Sequence, residues 1–178
     1  MNLPVVQQGK SKFIINKRQK YLLLIYYLCF IAMAIFSKTC EYAIRAVFYI
    51  AHKTVTDGSR VGIKDIAAGI DSPELYLAKI LQDLSRKGII SSVKGPHGGF
   101  FIETASLKKP LSDIVEAVDG DSLFHGCGLG LKQCSEVKPC PLHNEFKDIR
   151  NRIFVLLNTT TIGEFNTELI DGLLSLKK

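Results

Sequence analysis

Two short apolar runs, Ile89-Ile90-Ser91-Ser92-Val93 and Phe100-Phe101-Ile102-Glu103, flank the hexapeptide Lys94-Gly95-Pro96-His97-Gly98-Gly99. Runs this short, separated by glycine and proline, predict a β-hairpin. Two helical patterns stand directly before it. Val61 to Ile70 reads as a short helix ending in a glycine turn, and Asp71-Ser72-Pro73-Glu74 opens a second. There Ser72 is expected as N-cap, Pro73 at the first helical position, and Glu74 at the positive helix end. Tyr76, Leu77, Ile80, Leu81 and Leu84 mark the buried stripe of that helix, with Glu74, Ala78, Lys79, Gln82 and Asp83 outward and Gly88 as its stop. Two short helices joined by a tight turn also describe an ordinary helical hairpin. A β-hairpin immediately after the second helix favours a winged helix–turn–helix, in which the second helix enters the DNA major groove. The loop glycines let the backbone approach a phosphate or a groove floor. Lys94 and His97 add basic groups at its tip.

The flanking segments extend this core. Ser37 is a good N-cap for a helix running to about His52, with Ile44, Val47, Phe48 and Ala51 on one face and Thr56-Asp57-Gly58-Ser59 as the following turn. Leu111, Ile114, Val115 and Val118 predict an amphipathic helix that stops at Asp119-Gly120, and residues 121–142 predict an irregular loop. From about Leu142 to Asn158, Phe146, Ile149, Ile153, Phe154, Leu156 and Leu157 give a helix with a broad apolar face. Such a helix on a small domain needs a partner, and its twin in a homodimer is the simplest one. Thr161-Ile162-Gly163-Glu164 is a capping box for a last helix. The expected fold class is mainly α with a small β-hairpin wing. A winged helix–turn–helix domain spans 33–110, and a cysteine loop with long dimerisation helices spans 111–178.

Charge distribution fits this division. The net charge is +6, of which residues 1–32 carry +5, residues 33–110 carry +4 and residues 111–178 carry −3. The basic middle segment suits a polyanion such as double-stranded DNA; the acidic last third does not. Residues 1–32 form an N-terminal extension, and an almost wholly apolar run from Tyr21 to Phe36 overlaps its end after a basic stretch. A signal peptide with Ala32-Met33-Ala34 as its cleavage pattern is one reading. A membrane anchor is another, though the run is shorter than the roughly 20 residues a span needs. The preferred expectation is a start at Met33, with the extension outside the functional protein. A DNA reader with a thiolate site belongs in the cytoplasm, so neither membrane association nor export is expected.

The five cysteines are Cys29, Cys40, Cys127, Cys134 and Cys140. An odd count fits a complete disulfide framework poorly. Six residues separate Cys127 from Cys134, five separate Cys134 from Cys140, and His143 follows three positions later. Thiolates are soft ligands suited to zinc or iron–sulfur clusters. Structural zinc sites usually show tighter pairs, and the wide gaps suit a cluster larger than one ion. Three cysteines leave one ligand to find: His143 and His125 are local, and Glu41 on the first helix is placed to reach across from a second subunit. Free thiols, a zinc site and a thiol redox switch are the alternatives. With no C-x-x-C pair and no nucleotide-binding glycine fingerprint, an enzyme such as a thiol oxidoreductase is not expected. Catalytic residues and a small-molecule substrate are therefore not assigned.

Several of these segments resemble one family. Phe36-Ser37-Lys38-Thr39-Cys40-Glu41-Tyr42-Ala43-Ile44-Arg45-Ala46 is similar to the opening of the Rrf family of bacterial winged helix–turn–helix regulators. Tyr76-Leu77-Ala78-Lys79-Ile80-Leu81 resembles its recognition helix, and Ser91-Ser92-Val93-Lys94-Gly95-Pro96-His97-Gly98-Gly99-Phe100 its wing. Cys127, Cys134, Cys140 and His143 resemble the cluster loop of its iron–sulfur members, the IscR-like and NsrR-like ones. The likeness runs from Met33 to about Leu169. It implies a homodimeric transcription regulator, expected to be a repressor, on a palindromic operator. Gain, loss or damage of a two-iron or four-iron cluster would change its affinity in response to iron, oxidants or nitric oxide. It also implies Cys127, Cys134 and Cys140 as cluster ligands. His143 stands where IscR-like members place a histidine; Glu41 stands near where NsrR-like members use an acidic residue of the partner chain. The expected DNA contacts are Ser72, Glu74, Tyr76 and Lys79 on the recognition helix, with Lys94 and His97 on the wing. The gap of six between Cys127 and Cys134 is one longer than the family's commonest spacing. Lys94 and His97 replace an Arg and a Gly of IscR-like wings.

Overall fold

The structure, a computed structural model, describes residues 35–170 and Leu176. The expectations for residues 1–32, the start at Met33 and most of the apolar run lie outside the described residues. The chain divides between Ile35 and Phe36, and the second unit, from Phe36 on, holds all the elements below.

Helix α1, Lys38–Asp57, begins as expected: Ser37 is its N-cap and accepts from the Cys40 N–H at 3.1 Å. It continues five residues past His52, because nothing breaks it before Gly58. A Lys53–Asp57 ion pair at 3.2 Å joins side chains one turn apart there. Gly58 then closes the helix at φ +62°, with its N–H on the Thr54 carbonyl. Cys40, Ala43, Ala46, Val47, Phe48, Ile50 and Ala51 are buried along α1. The small side chains of Cys40, Ala43, Ala46 and Ala51 let other helices approach closely.

Helices α2, Ile63–Ile70, and α3, Glu74–Arg86, form the helix–turn–helix. The turn itself differs from the sequence expectation. Gly69 lies inside α2, where a Cβ would come within 2.2 Å of the Tyr49 ring; it is glycine for close packing on α1. The turn is made by Asp71, which takes the left-handed conformation at φ +52° and donates its N–H to Ala67 O. Arg45 Nη1 donates to Ile70 O at 2.8 Å, satisfying a carbonyl at the α2 C-terminus from α1. Ser72 does not cap α3: its Oγ is buried, with no hydrogen-bond partner among the described residues, and Pro73 holds the cap position. Leu77, Ile80, Leu81 and Leu84 are buried as expected, but Tyr76 stands at the edge of that stripe, 43% exposed.

Strands β1, Ser91–Val93, and β2, Gly99–Phe101, pair antiparallel with Ser92 opposite Phe100. They are shorter than the apolar runs, because Ile89, Ile90 and Ile102 are spent on the core. Val61 bridges to Phe100 and anchors the wing to the start of the helix–turn–helix.

The remainder is helical: α4 Thr104–Leu107, α5 Leu111–Asp119, α6 Ser122–His125, α7 His143–Thr159 and α8 Ile162–Ile170. The short α6 interrupts what reads as loop in the sequence. The Thr161 capping box forms, with Thr161 N donating to Glu164 Oε2 at 2.9 Å and Glu164 N to Thr161 Oγ1 at 3.2 Å. Ile114, Val115, Phe124, Leu157 and Ile162 join the same core as the helix–turn–helix residues. Segments 33–110 and 111–178 thus share one apolar interior. Truncating Leu81, fully buried on α3, removes part of it: Leu81→Ala is expected to cost about 2–5 kcal/mol in urea unfolding, and a loss under about 1 kcal/mol would show that this packing is wrong.

Candidate metal centre and nucleic-acid interface

The sulfur group comes from a loop tied down at both ends. Gly126 closes α6 with its N–H on Ser122 O at 2.8 Å, and Cys127 follows it. Gly128 then lies flat on the Phe146 ring: a Cβ there would come within 2.5 Å of the ring, so only glycine allows the loop to sit on α7. Gly130 N bonds back to Cys127 O at 2.8 Å, and the chain returns through Cys134 and Cys140 to His143, the first residue of α7.

This path brings four of the expected ligands together. The Sγ atoms of Cys127, Cys134 and Cys140 all lie within 4.8 Å of one another. Cys127 Sγ and Cys140 Sγ are 3.9 Å apart, and His143 Nδ1 is 3.1 Å from Cys134 Sγ. The other ring nitrogen, Nε2, lies 3.5 Å from a Glu136 carboxylate oxygen that is paired with Lys147 Nζ at 2.7 Å. The lysine bond and the His143 contact hold the Glu136 carboxyl below its ordinary range. Three thiols and an imidazole make a soft donor set that fits an iron–sulfur cluster or a zinc ion.

The thiols are not equivalent. Backbone N–H groups of Leu131 and Leu129, then the neighbouring thiols, lower Cys127 to about 7. At Cys134 the Cys140 amide pulls downward, but desolvation and the Cys140 and Cys127 sulfurs outweigh it and raise the thiol. Cys40 is a different kind of cysteine: burial first, then Asp119 and Glu41, push it up to about 12, so it stays a neutral core thiol. The two other sequence candidates stay apart. Glu41 is in the first turn of α1 with its carboxylate 2.6 Å from Lys38 Nζ, outside the sulfur group of its own chain. His125 is exposed at the end of α6.

The expected DNA contacts spread over α3 and the wing. Glu74 and Lys79 are exposed on α3, and Lys94 and His97 are exposed at the wing tip. Ser72 is half-buried. Tyr76 is turned partly inward: its hydroxyl hydrogen-bonds Thr39, and its ring meets Tyr42 edge-on at 5.8 Å. That side chain ties the recognition helix to α1. Two exposed residues were missed by the sequence reading. Arg60 lies beside the wing, its guanidinium 5.6 Å from the Phe101 ring centre, and the Val61–Phe100 bridge is what brings it there. Leu75, in the first turn of α3, is 92% exposed. Its place opposite Leu77 and Leu81 on a helical wheel was the available signal.

A family profile described as Rrf2, iron-dependent transcriptional regulator, matches residues 36–168. The chain belongs to the Rrf2 family. An Aquifex aeolicus protein assigned as an HTH-type transcriptional regulator is 33% identical over 73% of this chain and 90% of its own length. The IscR regulator of Klebsiella pneumoniae is 28% identical, over 74% of this chain and 80% of its own. Among solved structures, IscR of T. potens superposes with a TM-score of 0.61 at 20% identity, covering 78% of this chain and 90% of that one. CymR, the global cysteine regulator of B. subtilis, gives 0.61 at 19%, covering 76% and 98%. At these identities the structures speak for the fold alone: mostly helical, with a two-stranded wing. As an Rrf2 protein the chain is an IscR-like transcriptional regulator, not an enzyme, and its winged helix is a DNA-binding one.

The unequal thiols give a direct check. In metal-free protein the thiolate is the reactive form, so iodoacetamide labelling of Cys127, followed by mass spectrometry, should reach half its maximal rate near pH 7. Cys134 should label only at higher pH than an ordinary thiol, because its shift is upward. Identical pH profiles for the two would contradict the loop geometry.

Proposed function

We propose that this Rrf2 regulator is a cytoplasmic, homodimeric repressor whose operator affinity follows the state of an iron–sulfur cluster held by Cys127, Cys134, Cys140 and His143. The observation that carries this reading is the convergence of the three thiols, with His143 Nδ1 3.1 Å from one of them. His143 is preferred to the partner's Glu41 as fourth ligand because it reaches the sulfurs within one chain. When bound, the cluster supplies an iron centre that iron supply, oxidants or nitric oxide can alter.

The protein's own part is mechanical. Cys127 follows α6 and His143 begins α7. Ligation of both at one centre clamps the α7 N-terminus to the α6 end. Loss of that clamp frees α7 to change its angle. In α7 only Leu157 is buried, while Ile149, Val155 and Leu156 are exposed along its length. This apolar face is read as the seam with a second copy, which sets the spacing of two wings and two α3 helices on a palindromic operator. Glu74 and Lys79 would meet base edges or phosphates, and Lys94 and His97 the backbone or minor groove. Tyr76 would hold α3 in place through Thr39, and the Ser72 backbone N–H, donating to Ala67 O at 3.0 Å, the turn before it. Residues 1–32 are read as taking no part, since the family match spans 36–168.

A second reading has one observation in its favour. The 3.9 Å between Cys127 and Cys140 sulfurs is close to the edge of a zinc–thiolate tetrahedron, about 3.8 Å for bonds of about 2.3 Å. Both readings are separated by one preparation. Anaerobically purified protein should be brown, contain iron and acid-labile sulfide, and be bleached by Cys134→Ala. Colourless protein with one zinc would transfer the gating role to zinc; metal-free protein after reconstitution would remove both readings.

The seam is tested apart from the cluster. Leu156→Glu places a charge on the exposed α7 face and should shift the protein from dimer to monomer in sedimentation analysis, with an unchanged circular dichroism spectrum. A wild-type monomer, or a Leu156→Glu dimer, would place the interface elsewhere.

A further inference from the structure

We propose that Leu75 is a specificity-determining residue that reads the 5-methyl group of a thymine in the operator. The inference rests on α3 being the helix that enters the major groove. Leu75 is the second residue of α3 and, at 92%, the most exposed large apolar side chain among the described residues. It is not displaced core. The buried stripe of α3 is complete with Leu77, Ile80, Leu81 and Leu84, and Leu75 points to the other side. Ala78, Lys79 and Gln82 follow it at the third, fourth and seventh positions, so the four share one outward face. That face holds one apolar side chain, one small one, one cation and one amide.

The chemistry of the groove selects the contact. The N-terminal residues of a recognition helix meet base edges. Leucine has no donor or acceptor, so neither a phosphate nor a base heteroatom gains from it. The apolar feature that a base pair presents in the major groove is the thymine methyl. Its neighbours do not offer that contact: Glu74 is an anion, and the Tyr76 hydroxyl is engaged by Thr39. Small Ala78 behind Leu75 leaves room for the helix to approach the bases closely. A solvent-exposed leucine contributes little to folding, so its removal leaves the domain intact.

The test uses the full chain, purified without oxygen and assayed both as isolated and after iron–sulfide reconstitution. Sites are first selected from a random-sequence duplex pool. Each thymine of the selected site is then replaced singly by uracil, which deletes the methyl alone, and affinities are measured for wild type, Leu75→Ala and Lys94→Gln. One thymine per half-site should cost wild type about four-fold when replaced, the worth of one methyl, and cost Leu75→Ala nothing. Leu75→Ala should keep the wild-type salt dependence, whereas Lys94→Gln should flatten the slope by about one phosphate's worth and keep the uracil effect. Uracil effects that are absent, or equal in wild type and Leu75→Ala, overturn the proposal while leaving the DNA-binding reading in place. A pool that yields no enriched site overturns that reading and the proposal with it.

Discussion

Helix α1 is buried along much of its length, and α2, α3, α5 and α8 are positioned against it. Ala43, Ala46 and Ala51 keep its surface low enough for α2, α3, α5 and α8 to pack on it together. Gly69 of α2 presses on Tyr49, Arg45 satisfies the carbonyl at the α2 C-terminus, and Phe165 of α8 stacks on Phe48 at 4.0 Å. At its start the Ser37 N–H donates to Asp119 at 3.0 Å, joining the beginning of α1 to the end of α5. A helix that is covered on so many sides cannot tilt without disturbing each neighbour. It is the fixed frame against which the recognition helix is aimed.

The sequence was most legible where chemistry is local. Ser37, the Thr161–Glu164 box and the glycine-rich wing loop each act on backbone groups a few residues away, and each is found as read; the turn read over residues 56–59 narrows to Gly58, because α1 runs on to Asp57. It was less legible where a third element decides. Gly69 reads as a turn residue, but the Tyr49 ring makes it a packing residue. Ser72 reads as a cap, but the left-handed Asp71 precedes it and its hydroxyl ends up buried. Tyr76 has the spacing of a core residue, yet Thr39 takes its hydroxyl and holds the ring at the edge. Periodicity gives the side of a helix a residue is on; what covers that side is set by residues far away in sequence.

The cysteine loop shows the same limit from the other direction. Spacing alone indicated a shared site and left the fourth ligand among His143, His125 and Glu41. Within one chain the fold brings His143 beside Cys134 at the start of α7 and leaves His125 facing solvent at the end of α6, whereas Glu41, read as a donor from a second subunit, lies with Lys38 on α1. Glu136 carried no recognisable motif, being one acid in an irregular segment. It lies 3.5 Å from His143 Nε2, on the side of the ring away from Cys134, and 2.7 Å from Lys147 Nζ.

Helix α5 is where the cysteine-bearing and DNA-binding halves meet. It packs against α1, against the recognition helix α3 and against α7. Lys87, just past the end of α3, donates to the Ala117 carbonyl of α5 at 2.6 Å, and on the other side Ser112 Oγ lies 3.3 Å from Asn158 Oδ1 of α7. A cleft of about 320 Å³ between α5 and α3, lined by Thr39, Tyr76, Lys79 and Val118, adjoins these contacts. α7 is partly uncovered, and α5 contacts both it and α3. On the proposed reading a change of angle at α7 would reach α5, which touches the helix that carries Leu75 and Lys79. Coupling of this kind needs no long chain of side chains. It needs one helix that contacts both halves, with hydrogen bonds on each side that a small rotation can break.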